Sequence, residues 1–161
     1  MDCRAMETLM TTNLKLLNDD SSEILDVTLY RHIIGSLMYL TNTRPDICFV
    51  VNTLSRNIVN PIHIHLVGAK HVMRYLKGTL DYGLRYVSDG EIRLHGFTDS
   101  DWEGSTKDRK ITSGCCFSLG SSMIYWFNRK KTNIALSTIE DEYIVACLAC
   151  CEVVWLHRML A

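Results

Sequence analysis

The spacing of apolar residues changes once along this chain, near Asp81, and that switch restricts it to a mixed architecture. Upstream, apolar side chains recur with the period of a helix. Tyr30, Ile33, Ile34, Leu37 and Met38 fall at i, i+3, i+4, i+7 and i+8, which predicts a helix closing before Arg44-Pro45. Pro45 suits the first turn of a second helix, since its missing N–H costs nothing there, and Ile47, Val50, Leu54 and Ile58 recur on one side until Asn60-Pro61. A third helix is predicted to bury Leu66, Ala69, Met73 and Leu76 and to end at Gly78.

Downstream of Asp81, Tyr82-Gly83 and Asp89-Gly90 supply turn chemistry between short extended runs. Strands are predicted at Leu84 to Val87, Ile92 to Thr98, Ser113 to Leu119 and Met123 to Phe127, the last two joined by a Gly120-Ser121-Ser122 loop. Helical spacing then returns at Ser137. Ser137-Thr138-Ile139-Glu140 reads as a capping box, and Ile139, Tyr143, Ala146, Cys150, Val153 and Val154 read as the buried stripe of a long helix.

At 161 residues and 47% hydrophobic content the chain has the means to build a core. Lys and Arg total 17 against 18 for Asp and Glu, so any contact with nucleic acid must come from local patches rather than from net charge. Seven cysteines, an odd number, and an N-terminus MDCRAMETLMTTN without a basic-then-apolar leader suggest a reducing, intracellular setting, cytoplasmic or nuclear. No stretch reads as apolar enough to span a bilayer, so no membrane role is expected.

The stretch "GFTDSDWEGS" sets Asp99 and Asp101 at the end of a predicted strand. Of the acids in "IEDEY", Glu140 is used as a cap, Asp141 points to water and Glu142 lies at the border of the predicted stripe. An acid at a strand end and another on a packed helix suit a hard divalent cation such as Mg²⁺. On residues alone, an acidic strand-to-loop junction is the favoured reading of Asp99 and Asp101 over catalysis, with Trp102 as a packing lid. The C-x-x-C spacing at Cys147, Cys150 and Cys151 falls inside a helix and favours core filling over zinc. His63 and His65 diverge and make a poor metal pair. Lys70, His71, Arg74 and Lys77 form a basic helix face. With Lys107, Arg109 and Lys110, and with Arg129-Lys130-Lys131, they read either as wet surface or as phosphate contacts.

Four strings carry more than spacing: "YRHIIGSLMYLTNTRPDICFVVNTLS", "AKHVMRYLKGTLDYGLRY", "GFTDSDWEGSTKDRKITSGCCFSLG" and "ALSTIEDEYIVACLACCEVVWLHRML". Together they resemble the C-terminal part of a copia-type retrotransposon Pol polyprotein, from about Met6 to Leu160. Residues 1–25, polar and aperiodic with a turn-rich Asn18 to Ser22 cluster, read as a flexible segment, and the resemblance implies a helical reverse transcriptase connection over 26–86 and a truncated ribonuclease H-like domain over 87–161. That fold class is α/β, an antiparallel strand meander plus one long helix, without the later strands and helices. The family's enzyme cleaves RNA in RNA–DNA hybrids with two Mg²⁺ ions held by four acids. Motif by motif, the first acid corresponds to Asp99 and the second to Glu142, with Asp101 a second-rank metal candidate. Nothing in the chain matches the third, which in the family follows on a strand ending in a Cys-Asp-Asn-like motif, or the fourth.

The implied cofactor is Mg²⁺ or Mn²⁺, and the implied partners are an RNA–DNA hybrid and the remainder of a Pol polyprotein. Lys70, Arg74, Lys77, Arg109 and Lys110, from the basic clusters, are the candidate hybrid contacts. With two acids of four, weak or no ribonuclease activity is expected. The alternatives are a domesticated or degenerate copia-like protein with a non-catalytic binding role, a secreted effector-type role included, and a translated relic without function.

Overall fold

The computed structural model describes residues 3–10, 26–87, 92–101, 112–130 and 137–160. The chain divides into two compact units, Met1–Gly83 and Leu84–Ala161.

The first unit holds three α-helices. Helix α1 (Val27–Leu40) starts earlier than its apolar spacing predicts, because Asp26 caps it: the carboxylate accepts from the N–H groups of Thr28 at 2.9 Å and Leu29 at 3.1 Å. Pro45–Ile47 forms a single 3-10 turn that leads into α2 (Cys48–Ser55), and α3 spans His63–Gly78. Tyr30, Ile34, Leu37, Ile47, Val50, Val51, Leu54, Leu66, Ala69 and Val72 make the core. Met38 and Met73, predicted as core, are about half exposed. In α3 the buried stripe runs instead through His65, Ala69, Val72 and Tyr75.

One polar clasp sits inside this unit. The Arg44 guanidinium, itself buried, donates from Nε and Nη2 to the two carboxylate oxygens of Asp46 at 2.9 and 2.7 Å. Its remaining N–H groups reach the Thr79 carbonyl at 2.9 Å and the Thr79 hydroxyl at 2.8 Å, which ties the turn before α2 to the end of α3. Tyr75 donates its hydroxyl to Asp46 at 3.0 Å, and the rings of Tyr75 and Tyr82 each lie 5.9 Å from the guanidinium carbon. Burial alone would raise the Asp46 carboxyl, but the hydrogen bonds from Arg44 and Tyr75 together with the Arg44 charge outweigh it and hold the group below its ordinary range.

The N-terminal segment, expected as a free tether, is anchored over its first described residues. Met6 N–H donates to the Arg74 carbonyl at 3.2 Å, Lys77 Nζ donates to the Cys3 carbonyl at 2.8 Å, and His71 Nε2 lies 2.7 Å from the Thr8 carbonyl. Leu9 and Met10 pack against the core, and Gly78 lets the strap pass, since a Cβ there would meet the Met6 carbonyl oxygen at 3.1 Å. A cavity of about 330 Å³ remains between Met6, Glu7, Tyr75, Thr79 and Tyr82.

The second unit is a three-stranded antiparallel sheet in the order β1-β2-β3, with β1 at Leu94–Asp101, β2 at Thr112–Leu119 and β3 at Ser122–Lys130. A two-residue turn, Gly120-Ser121, joins β2 to β3, with Gly120 at φ 60°, a conformation that costs glycine nothing. The turn is one residue shorter than predicted, and Ser122 belongs to β3. The predicted strand at Leu84 to Val87 does not form. There Tyr86 donates its hydroxyl to the Met123 carbonyl at 3.0 Å and the Ser122 hydroxyl donates to the Arg85 carbonyl, so the segment is fastened by side chains rather than by a ladder.

Helix α4 spans Thr138–Leu160, and its first turn is capped as expected by the Ser137 hydroxyl, which accepts from Glu140 N–H at 3.1 Å. The buried face of α4 differs from the predicted one. Val145, Ala149 and Leu156, with Val153 partly covered, pack on Cys115 and Phe117 of the sheet, whereas Ile139, Tyr143, Ala146, Cys150 and Val154 are exposed. By length and composition alone α4 is also apolar enough to cross a membrane, contrary to the expectation from the sequence.

Two outcomes follow for the first unit. Arg44→Met strands the Asp46 carboxylate and the Thr79 groups and is expected to cost about 2 kcal/mol, read as a lower denaturant midpoint. The second concerns His65, which is buried; its Nδ1 accepts from Ile62 N–H at 3.0 Å, and its Nε2 has no hydrogen-bond partner among the described residues. Burial holds this imidazole below its ordinary pKa. The unfolded chain therefore takes up a proton that the folded chain refuses, so stability is full above about pH 6.5 and falls as the pH drops below it. His65→Gln keeps an acceptor at that position and is expected to flatten this part of the pH–stability curve.

Candidate functional site

The placement of the site begins at Gly96. A Cβ at this position would meet the Phe117 ring at 3.0 Å and a Val153 methyl at 3.5 Å, so α4 crosses β1 where β1 has no side chain. Register partners in the ladder share a face, and Gly96 pairs with Phe117 and Thr98 with Cys115, both buried under α4. Leu94, on the same face, packs into that core.

Strand alternation then settles where Asp99 points. It shares the opposite face with Phe97, which is 58% exposed, and Asp99 itself is exposed. Across the ladder Asp99 pairs with Gly114, and Gly114 with Asn128. Apart from its chain neighbours, no atom of the described residues lies within 4 Å of where a Gly114 Cβ would stand, so the row Asp99, Gly114, Asn128 is open at its middle among them. Sequence reasoning missed Phe97, Gly114 and Asn128 as neighbours of Asp99; counting alternation outward from Leu94 and from the hairpin would have found them.

Glu142 is carried by α4. Glu142, Val145, Ala149, Val153 and Leu156 fall at i, i+3, i+7, i+11 and i+14, so Glu142 extends the helix's sheet-facing seam by one turn at its N-terminal end. It is exposed, not partly desolvated as the predicted stripe implied. Asp101 and Lys130 share Thr112 as register partner, so the chain leaves β3 toward α4 from the end of the sheet that carries Asp99. The structure thus sets the two carboxylates on packed elements but on different sides of β1: Glu142 on the side covered by α4, Asp99 on the other. The outer edge of β1 bears no partner strand among the described residues.

No three His, Cys, Asp or Glu side chains gather to hold an ion among the described residues. The Asp101 side chain, Arg109 and Lys110 lie outside those residues. Lys70, Arg74 and Lys77 are exposed on α3 of the first unit, with Lys77 engaged at the Cys3 carbonyl and the neighbouring His71 buried beneath the strap.

The comparisons place these elements in a lineage. The chain is 35% identical over 160 residues to the Retrovirus-related Pol polyprotein from transposon RE2 of Arabidopsis thaliana, covering 99% of this chain and 11% of that protein. It is 39% identical over 132 residues to the Retrovirus-related Pol polyprotein from transposon TNT 1-94 of Nicotiana tabacum, covering 81% of this chain and 10% of that protein. The chain belongs to the copia-type retrotransposon Pol polyproteins. It spans about a tenth of the length of these Pol relatives. It is also 39% identical over 128 residues to Secreted RxLR effector protein 161 of Plasmopara viticola, covering 79% of this chain and 90% of that protein. No protein-family profile matches the chain, and no solved structure matches it.

Gly96→Val would drive a branched side chain into Phe117 and Val153. The expected outcome is a loss of roughly 1–3 kcal/mol, with faster amide exchange across α4 while the first unit's helices keep their protection.

Proposed function

We propose that this Pol fragment is a ribonuclease H-like region in which Asp99 and Glu142 correspond to two of the four acids that the family uses to hold Mg²⁺, and that the chain by itself has little or no hybrid-cleaving activity. The observation that carries this reading is the seating of α4 on β1 at Gly96, which gives one strand and one helix in contact, each bearing a family-matched acid. The expected inactivity rests on the match to two of the family's four acids, since a divalent cation favours six oxygen ligands. No catalytic step is therefore assigned to these residues.

Hybrid binding by the exposed Lys70 and Arg74 belongs to the same reading, as sequence-independent phosphate contact that weakens with salt. The decisive experiment is cleavage of a labelled RNA–DNA hybrid by the purified chain with Mg²⁺ or Mn²⁺. No cutting above background is expected. Robust cutting abolished by Asp99→Asn would overturn the proposed inactivity and establish the acid's role.

A second reading is favoured by one observation: the match to the effector-named relative extends over 90% of that protein's length. In that reading the fold serves a non-catalytic binding role outside the cell that makes it. Fractionation of expressing cells separates the two, since export of the intact chain supports the second and retention supports the first.

A further inference from the structure

Lys70, Arg74 and Lys77 fall at i, i+4 and i+7 on α3 and make one exposed basic stripe. The N-terminal strap runs along its flank. His71 and Gly78, the two residues it lies over, are about 100° and 80° around the helix from Lys70, whereas Arg74 and Lys77 stay within about 40° of it. One member of the stripe is nevertheless engaged with the strap, since Lys77 Nζ donates to the Cys3 carbonyl at 2.8 Å.

The hold of the strap is light. Its polar grip on α3 passes through its own main chain, at the Cys3 carbonyl, the Met6 amide and the Thr8 carbonyl. Ala5, Met6 and Glu7 span the cavity of about 330 Å³ rather than a filled core, while Leu9 and Met10 at the far end pack on the apolar cluster. Such a segment can lift from its N-terminal side and stay attached at Leu9 and Met10.

We infer that the strap regulates the basic stripe: seated, it keeps the Lys77 ammonium on the Cys3 carbonyl, and lifted, it gives Lys77 to a phosphate beside those held by Lys70 and Arg74. This rests on the proposed hybrid binding by Lys70 and Arg74, and adds to it the device that sets the affinity. Strap and hybrid compete for one ammonium, so the coupling is reciprocal: lifting the strap tightens the hybrid, and the hybrid loosens the strap. The strap's own side-chain charges, Arg4 and Glu7, cancel, so the gain comes from Lys77 and not from a change in net charge.

Two variants of the full chain lift the strap by different means. Gly78→Val sets a Cβ 3.1 Å from the Met6 carbonyl oxygen and 3.2 Å from the Ala5 Cβ, with two methyl groups beyond it. Met6→Pro removes the amide that donates to the Arg74 carbonyl and leaves α3 untouched. Each is expected to speed tryptic cleavage after Arg4. Each is also expected to bind a labelled RNA–DNA hybrid about tenfold more tightly at about 50 mM salt, with a salt slope steeper by about one. Adding Lys77→Gln to either variant removes the gain. In the wild type, saturating hybrid speeds exchange of the Met6 amide.

A chain with no salt-sensitive hybrid binding for Lys70→Gln to weaken would sink the hybrid reading and this inference with it. Binding that Lys70→Gln weakens but neither strap variant tightens would overturn the inference alone. A gain that survives Lys77→Gln, or a strap cleaved no faster in either variant, would overturn it equally.

Discussion

The second unit depends on a missing side chain. At Gly96 the backbone of β1 lies against the Phe117 ring and Val153, and this close approach lets α4 settle on the sheet. Once Val153 is fixed there, helical periodicity sets the other buried residues of α4: Ala149 and Val145 follow one and two turns earlier, and Glu142 one turn beyond them. The aromatic layer agrees with that seating, with Phe117 stacked on Tyr125 at 5.8 Å and Tyr125 against Trp155 of α4 at 6.1 Å. One glycine therefore fixes which seam of α4, with Glu142 at its N-terminal end, faces the sheet.

In the first unit the corresponding role falls to a charge. Arg44 uses both prongs on Asp46 and its remaining N–H groups on Thr79, so a turn and a distant helix end close on one planar cation. Such a group can be buried because its bonds are satisfied, and the Tyr75 hydroxyl gives Asp46 a further donor. The apolar core of Tyr30, Ile34, Leu54 and Val72 supplies most of the driving force for this unit. The clasp fixes which ends meet.

Much of this was legible before any coordinates. Pro45, Gly78, the Ser137 cap and the change of period near Asp81 each mark an element that the structure contains, and three of the four predicted strands form. The face of α4 was not legible, because both of its seams are apolar at helical spacing and periodicity cannot choose between them; the sheet chose the one that fits Gly96. The strand at Leu84 to Val87 failed because side-chain bonds from Tyr86 and Ser122 fasten that stretch without a ladder. The resemblance pointed to the elements bearing Asp99 and Glu142, yet only the register reveals that they flank β1 from different sides. The strap over α3 left no trace in hydrophobic pattern, since its polar grip uses the main chain.

That last feature bears on how freely the segment can drift. Cys3 and Thr8 offer carbonyl oxygens and Met6 offers an amide, groups that almost any amino acid supplies at those places. The chemistry that recognises them resides on α3, in the Lys77 ammonium, the His71 ring and the bare α-carbon of Gly78. Substitution therefore has wide latitude in the strap and little in the helix beneath it.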